Sequence, residues 1–353
     1  MFLRTLIAIG LALAITTPSD AAPKSPTPRQ KTVCHVGISL NITEGGNIQG
    51  FIKDVLAVKA MGTDLQFVSV SWRDLEPKPG EYNWKPILDS AQGLAKVGYH
   101  EIVTIKTIDT NQRNLPDDLK TKAFDDPKVI SRFRALLAAL IPQLPKQVHQ
   151  ISLGNEVDAY LAEHPAETEA FARLMAIGEK EGRRLRPGLG VGVTTTFNGM
   201  RDRPDIVRRV NAGTDCMFIT YYPLKPDFTV QPVSVVPADF AGMLHTAGAK
   251  PLVLQEIGYP ADTLLNSSDA LQAQFIDAVF AQIAKHRAKI AVANFFILYD
   301  LNKSQLETFT AYYGLPDARF RAYLGTLGLK RANGTPRPAW ARFEKGVKEM
   351  TAH

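Results

Sequence analysis

The chain has 353 residues, 45% hydrophobic and 22% charged, with a formal net charge of +6. This mixture excludes disordered and fibrous classes, and the length suits a single large α/β unit. The basic residues are dispersed, with only short clusters such as Arg183-Arg184 and those between Arg201 and Arg209, so no nucleic-acid partner is expected.

The N-terminus reads as an address. Arg4 precedes an apolar stretch from about Leu6 to Ile15, and small residues follow around Ser19-Asp20-Ala21. This is the pattern of a secretory signal peptide over 1–22, cleaved near Ala21 or Ala22. The apolar stretch is too short for a comfortable membrane span. A polar leader over 23–31 precedes the fold, and the mature protein is expected in the periplasm or the medium, free of the membrane. Export permits disulfides, but the two cysteines, Cys34 and Cys216, each sit near the start of an apolar run and are expected to be buried and free. The seven histidines show no H-x-H or HExxH spacing, so no metal site and no cofactor are expected.

Short apolar runs then alternate with longer helical patterns. "VCHVGISL" (33–40) reads as a strand, and "IQGFIKDVLAVKAMG" as a helix ended by Gly62. "LQFVSVSW" (65–72) is the second strand, followed by a Pro/Gly loop and the helix "WKPILDSAQGLAKVGY". "EIVTIKTI" (101–108) is the third, and its helix begins at Asp126-Pro127, a cap residue followed by a first-turn proline. "VHQISLGN" (148–155), "GVGVTTTF" (190–197), "CMFITYYP" (216–223), "PLVLQEIGYP" (251–260) and "IAVANFFILYD" (290–300) complete eight strands, with helices between them and two helical segments at the end. The strands are continuous apolar runs, as parallel strands covered on both faces should be. Eight strand-then-helix units predict one (β/α)8 TIM barrel over 32–353. A dinucleotide-binding sheet is disfavoured because "SLNITEGGNIQG" lacks the G-x-G-x-x-G turn.

In such a barrel the C-terminal strand ends face the active site. Two carboxylates occur there, Glu156 after the fourth strand and Glu256 at the seventh. Either alone is more often a helix N-terminal residue or an ion-pair partner. Together, on roughly opposite sides of the mouth, they match the pair that glycoside hydrolysis needs: one carboxyl gives a proton, and the other attacks the sugar or activates water. Their proximity would keep one proton between them.

"LGNE", "ITYYPL" and "LQEIGYP" resemble the strand-4, strand-6 and strand-7 motifs of clan A glycoside hydrolases, the retaining (β/α)8-barrel glycosidases. "YYP" with "GNE" is similar to the endo-β-1,4-galactanases of that clan. "SWRDLEPKPGEYNW" (71–84) resembles its xylanase- and β-galactosidase-like members. The resemblance implies an O-glycosyl hydrolase acting on β-linked oligo- or polysaccharides by double displacement. Glu156 would be the acid/base and Glu256 the nucleophile. Asn155 would bind the sugar 2-hydroxyl, and Tyr222, or else Tyr221, would hydrogen-bond the nucleophile. The clan's arginine on strand 2 is missing from "FVSVSW", and Arg113 is the candidate replacement. Its strand-8 tryptophan is missing from "FFILYD", and Phe296 or Tyr299 stands in. Trp72 is a candidate sugar platform, Lys106 a candidate partner of either glutamate, and Asp158 and Asp300 are read as caps or ion-pair partners. Glu76 and Glu81 are expected in solvent. The partner is a carbohydrate, and the protein is expected to be a monomer. Two rival readings are a non-catalytic carbohydrate-binding barrel and an envelope-glycan transglycosylase.

Overall fold

Eight parallel strand positions form the barrel in the computed structural model, which describes residues 34–351. The segments read as signal peptide and leader lie outside the described residues. β1 (His35–Ile38), β2 (Leu65–Ser71) and β3 (His100–Lys106) are followed by a small hairpin, β4 (Ile108–Asp109) and β5 (Gln112–Arg113). The barrel continues with β6 (Val148–Ser152), β7 (Gly190–Gly192), β8 (Thr194–Thr196), β9 (Met217–Tyr221), β10 (Leu252–Ile257) and β11 (Ile290–Phe295). The strand order is β7-β6-β3-β2-β1-β11-β10-β9-β8. Only Val193 separates β7 from β8, so the two ends of the sheet are halves of the expected fifth strand.

Helices cover the outside. α1 (Ile48–Met61) follows β1; α2 (Trp72–Leu75) and α3 (Lys85–Lys96) follow β2; α4 (Pro127–Leu140) follows the hairpin. α5 (Val157–Glu163) and α6 (Thr168–Leu185) follow β6, and α7 (Phe197–Asp202) and α8 (Pro204–Val210) follow β8. α9 (Val236–Ala247) and α10 (Asp269–His286) separate the last three strands. After β11 come α11 (Lys303–Tyr313), α12 (Ala318–Gly325) and the closing α13 (Pro338–Thr351). The caps follow local chemistry. Asp126 accepts the Lys128 N–H at 2.8 Å, and Gly62 ends α1 at φ 117°, a conformation that favours glycine.

The barrel interior is layered. Its floor is apolar: Leu65, Ile102, Phe218, Val253 and Val292 pack there with the buried thiol of Cys216. Both cysteines are free, as expected; Cys216 is buried, but Cys34, just before β1, is only half-buried. A polar belt lies above the floor. Gln255 Oε1 accepts from Thr104 and Thr194, each at 2.8 Å, and its amide donates to Asn155 Oδ1 at 2.8 Å. One buried amide thus joins β3, β8, β10 and the end of β6.

The wall has one weak seam. β1 and β2 pair at a single position, Gly37 opposite Leu65. Glycine is required there, because a Cβ on Gly37 would stand 2.3 Å from the Leu65 carbonyl oxygen. Beyond that point the strands part, and the Gln66 side-chain amide donates to the Ile38 carbonyl at 3.3 Å. The side chain takes the place of a missing ladder bond, since a buried carbonyl without a partner is costly.

Candidate active site

The mouth of the barrel opens into a cavity of about 930 Å³, and both glutamates line it. β6 delivers Ser152, Leu153 and Gly154 as buried chain, then turns sharply. Glu156 sits in the left-handed region at φ 48°, ψ 42°, immediately before α5. Thr110, across from it, has φ 55°. A β-branched residue at positive φ is uncommon and strained. These two strained residues meet: Thr110 Oγ1 donates to Glu156 Oε2 at 2.7 Å, and the Thr110 N–H donates to the Asn155 carbonyl at 2.9 Å. On its other oxygen Glu156 accepts from Thr220 Oγ1 at 2.7 Å. The strain therefore aims the carboxyl into the cavity rather than along the helix.

Glu256 comes from β10 and accepts from the Tyr222 hydroxyl at 2.7 Å. The tyrosine can lie there because Gly258 has no side chain; a Cβ would come within 2.6 Å of the Tyr222 ring. Burial, then the charge of Glu156, pushes the Glu256 carboxyl up to about 8, against the easing effect of Tyr222. Burial also raises the Glu156 carboxyl above its ordinary value, opposed by the two threonine hydroxyls and reinforced by Asp109. The same burial, followed by the charge of Glu256, holds the Tyr222 phenol well above its usual range, so it stays protonated and donates.

A third carboxylate organises the floor of this site. Asp109 is buried, accepts Asn155 Nδ2 at 3.0 Å on one oxygen, and takes Lys106 Nζ at 2.6 Å and the Tyr312 hydroxyl at 2.9 Å on the other. Lys106 therefore pairs with Asp109 rather than with either glutamate. Asn155 is held by Asp109 and Gln255 from two sides, which fixes its orientation beside Glu156.

The remaining expectations divide. Tyr222 is in the cavity, but Tyr221 points away from it; its hydroxyl donates to Asp239 at 2.8 Å, and its ring packs edge-on against Phe197 and Phe240. Trp72 is no sugar platform. It is fully buried in α2, its ring tilted against Phe133, with its indole N–H on Glu76. Glu76 is accordingly buried, not solvated, and also holds Arg132 at 2.7 Å. Arg113 does not replace the missing strand-2 arginine. The β4–β5 hairpin turns it over the Phe124 ring and onto Glu167. Arg73, two residues past β2, lines the cavity instead. Tyr299 donates its hydroxyl to Asp54 at 2.9 Å, outside the cavity, whereas Phe296 lines it. Asp158 caps the Thr196 turn, and Asp300 pairs with Arg337.

The aromatic lining is what the sequence reading missed. Tyr312 and Tyr313 on α11 and Phe320 and Tyr323 on α12 line the cavity together with Phe228 and Phe296. α11 reaches across to the β3 side, where Asn111 Nδ2 donates to the Tyr313 carbonyl at 3.0 Å. On the other side Tyr323 packs edge-on against Tyr222. The two helices after β11 thus form a roof over part of the mouth. At the opposite end of the barrel, ligand atoms of His35, Asp64 and His100 lie within 4.8 Å of one another. This is the group among the described residues that could hold a metal ion, and it is remote from the glutamates. Among the described residues no helix is long and apolar enough to cross a membrane.

No family model matches the sequence, and no curated protein matches it either. Solved structures do match the fold. GH5_18 from Streptomyces cattleya, in complex with GlcNAc, superposes with a TM-score of 0.70 at 15% identity, over 92% of this chain and 82% of that one. The exo-β-1,4-mannosidase Op5Man5 from Opitutaceae bacterium strain TAV5 gives 0.69 at 18% identity, over 93% and 63%. A family 39 glycoside hydrolase from Bacteroides cellulosilyticus WH2 gives 0.62 at 13% identity, over 90% and 64%. The chain therefore shares the barrel fold of clan A glycoside hydrolases.

Proposed function

We propose that the protein is a retaining β-glycosidase that acts outside the cytoplasm, with Glu156 as acid/base and Glu256 as nucleophile. The observation that carries this reading is the pair of buried carboxyls lining one cavity with unlike hydrogen-bond partners. A threonine hydroxyl both donates and accepts, so Glu156 keeps both its bonds whether or not it carries a proton. Tyr222, held protonated by burial, serves Glu256 best as a carboxylate. Mutual repulsion leaves one proton shared by the pair in the free protein, and the reaction draws on the form in which it rests on Glu156, the form these partners suit.

The reaction follows from that placement. Glu256 attacks the anomeric carbon while Glu156 gives its proton to the departing oxygen. The glycosidic bond breaks and an ester to Glu256 forms. Glu156, now a carboxylate, takes a proton from water, whose oxygen displaces Glu256 from the anomeric carbon. Both carboxyls return to their starting states. Asn155, fixed by Asp109 and Gln255, grips a hydroxyl of the sugar. The aromatic roof supplies flat apolar faces and closes part of the cleft, which favours removal of terminal residues over cleavage within a polymer. The bound GlcNAc of one structural relative and the exo-mannosidase name of another support starting with β-mannosides and β-N-acetylglucosamine-containing oligosaccharides. The signal-peptide pattern over 1–22 supports export.

The test is azide rescue of two variants with an activated aryl β-glycoside. Glu256→Ala should yield the α-glycosyl azide, because azide replaces the nucleophile. Glu156→Ala should yield the β-azide, because azide replaces the activated water on the glycosyl-enzyme. The reverse pairing would exchange the roles, and full activity in either variant without azide would dismiss the mechanism. Transfer to added sugar acceptors, read in the same products, separates a transglycosylase from a hydrolase.

A further inference from the structure

The cavity does not end at the two glutamates. It continues down the seam where β1 and β2 part and runs out between α1 and α3. Phe51, Ile52, Val55 and Leu56 line it from α1, and Pro86, Ser90 and Leu94 from α3 with Val97 just after it. Leu56 is 51% exposed and Ile48, one turn before Ile52, is 42% exposed. Ile48, Ile52 and Leu56 recur every fourth residue, so an apolar stripe lies along α1 beside the opening. Contiguous apolar surface of this kind marks a binding face rather than a solvated one. It is joined to the sugar site as one space, and sugars alone have no use for a hydrocarbon slot.

Building on the glycosidase reading, we infer that the substrate is an amphiphilic glycoside, whose sugar lies between Glu156 and Glu256 and whose alkyl chain lies in the fissure between α1 and α3. The slot suits a linear chain. Pro86 and Val97 are eleven helical steps apart, about 16 Å along the axis, which is the reach of a dodecyl-class hydrocarbon. The seam makes the passage possible, because a fully paired β1–β2 ladder would wall the barrel interior off from the helical layer. Gln66 holds the seam with a side chain rather than with a ladder. The two requirements of such a substrate, polar grip on the sugar and apolar cover for the chain, are met in one continuous cavity.

The test is a chain-length series. Methyl, hexyl, octyl and dodecyl β-D-mannopyranosides and β-D-glucopyranosides are titrated, below their micelle concentrations, into the purified protein and into Glu256→Gln, with heat as the readout. The N-terminus of the purified protein is fixed by mass spectrometry. Each fully buried methylene strengthens binding about fourfold, and a partly open slot still gives a gain of at least a hundredfold from methyl to dodecyl. Ser90→Trp should collapse that ratio and Ser90→Ala should keep it, with melting curves showing that both variants are folded. A dissociation constant that is flat along the series in both sugars overturns the inference. A series that is steep only when residues 1–22 are absent from the purified chain supports the inference for the exported protein, with the apolar N-terminal segment acting as a competitor before its removal. The two readings fail separately. Turnover without chain-length dependence removes the fissure ligand and keeps the glycosidase. Steep binding of a fluorescent C18 fatty acid, displaced by dodecyl glycosides but with no turnover of any, keeps the fissure ligand and removes the glycosidase.

Discussion

Glu256→Gln should make the protein more stable at neutral pH while abolishing turnover. The Glu256 carboxyl has an ordinary value of 4.5 and is pushed up to about 8 in the folded chain. A folded value above the unfolded one means that the protonated form suits the fold. Its contribution is complete below pH 4.5 and is lost as the pH rises toward 8. At pH 7 the unfolded chain has released both carboxyl protons, whereas the folded pair of Glu156 and Glu256 largely retains one between them. Linkage then sets the loss at about 3 kcal/mol relative to pH 4. Glutamine has nearly the same shape and cannot ionise, and its oxygen still accepts from Tyr222. The variant should therefore gain about 3 kcal/mol over the parent between pH 4 and pH 7, and relief of the repulsion on Glu156 acts in the same direction. Urea unfolding of both proteins at pH 4, 5.5 and 7, followed by tryptophan fluorescence, measures it. A difference between the two proteins that is the same at all three pH values would refute the reasoning, because then no buried proton is at stake.

Other outcomes follow from the same site. Tyr222→Phe removes a hydrogen bond to a charged group, worth about 1.5–3 kcal/mol. Glu256 should then ionise at still higher pH, so the acid limb of kcat/KM moves up by about one to two pH units. An unmoved limb would detach Tyr222 from the nucleophile. Asp109→Asn frees the Asn155 amide and strands Lys106; kcat/KM should fall by roughly tenfold to a hundredfold, and the loss should shrink on 2-deoxy substrates if Asn155 is the affected contact. Arg337→Met leaves Asp300, whose carboxyl burial pushes up to about 6, without its partner. Breaking such a pair costs about 3–5 kcal/mol, visible as a lower urea midpoint at pH 7 with kcat unchanged.

The alternation of strand and helix was legible because each strand is an apolar run bounded by turn residues, and that pattern alone predicts the barrel. The glutamates were legible for a related reason: a carboxyl at the end of a run that cannot be solvated has to be used or paired. The choice between Tyr221 and Tyr222 was also within reach. Phe218 packs inside the barrel, and side chains alternate along a strand, so Thr220 and Tyr222 share its side and Tyr221 takes the other. Trp72 misled because it stands one residue past β2, where the chain has turned into α2 and the strand parity no longer holds. Arg113 misled because a two-residue hairpin decides its direction, and nothing local announces that hairpin. The roof was out of reach. Tyr312, Tyr313 and Tyr323 lie on short helices whose landing place depends on distant partners, such as Asp109, 203 residues before Tyr312. The metal-capable group of His35, Asp64 and His100 was hidden for the same reason, since strand neighbours in space share no sequence spacing.

The single amide that ties the belt together has a consequence for how the chain reaches its native state. Thr104, Asn155 and Thr194 all arrive early in the chain, and Gln255, about 60 residues after the last of them, supplies their common partner. A half-barrel ending at the fifth strand would keep the Asn155–Asp109 and Thr194–Ser152 bonds but would leave the Thr104 hydroxyl, the Thr194 hydroxyl and the Asn155 oxygen without the partner they share. Such a species is penalised at each of those groups, so half-assembled barrels should not accumulate. Closure by β10 supplies that shared partner to all three at once, which favours folding that is cooperative across the whole sheet rather than stepwise by halves.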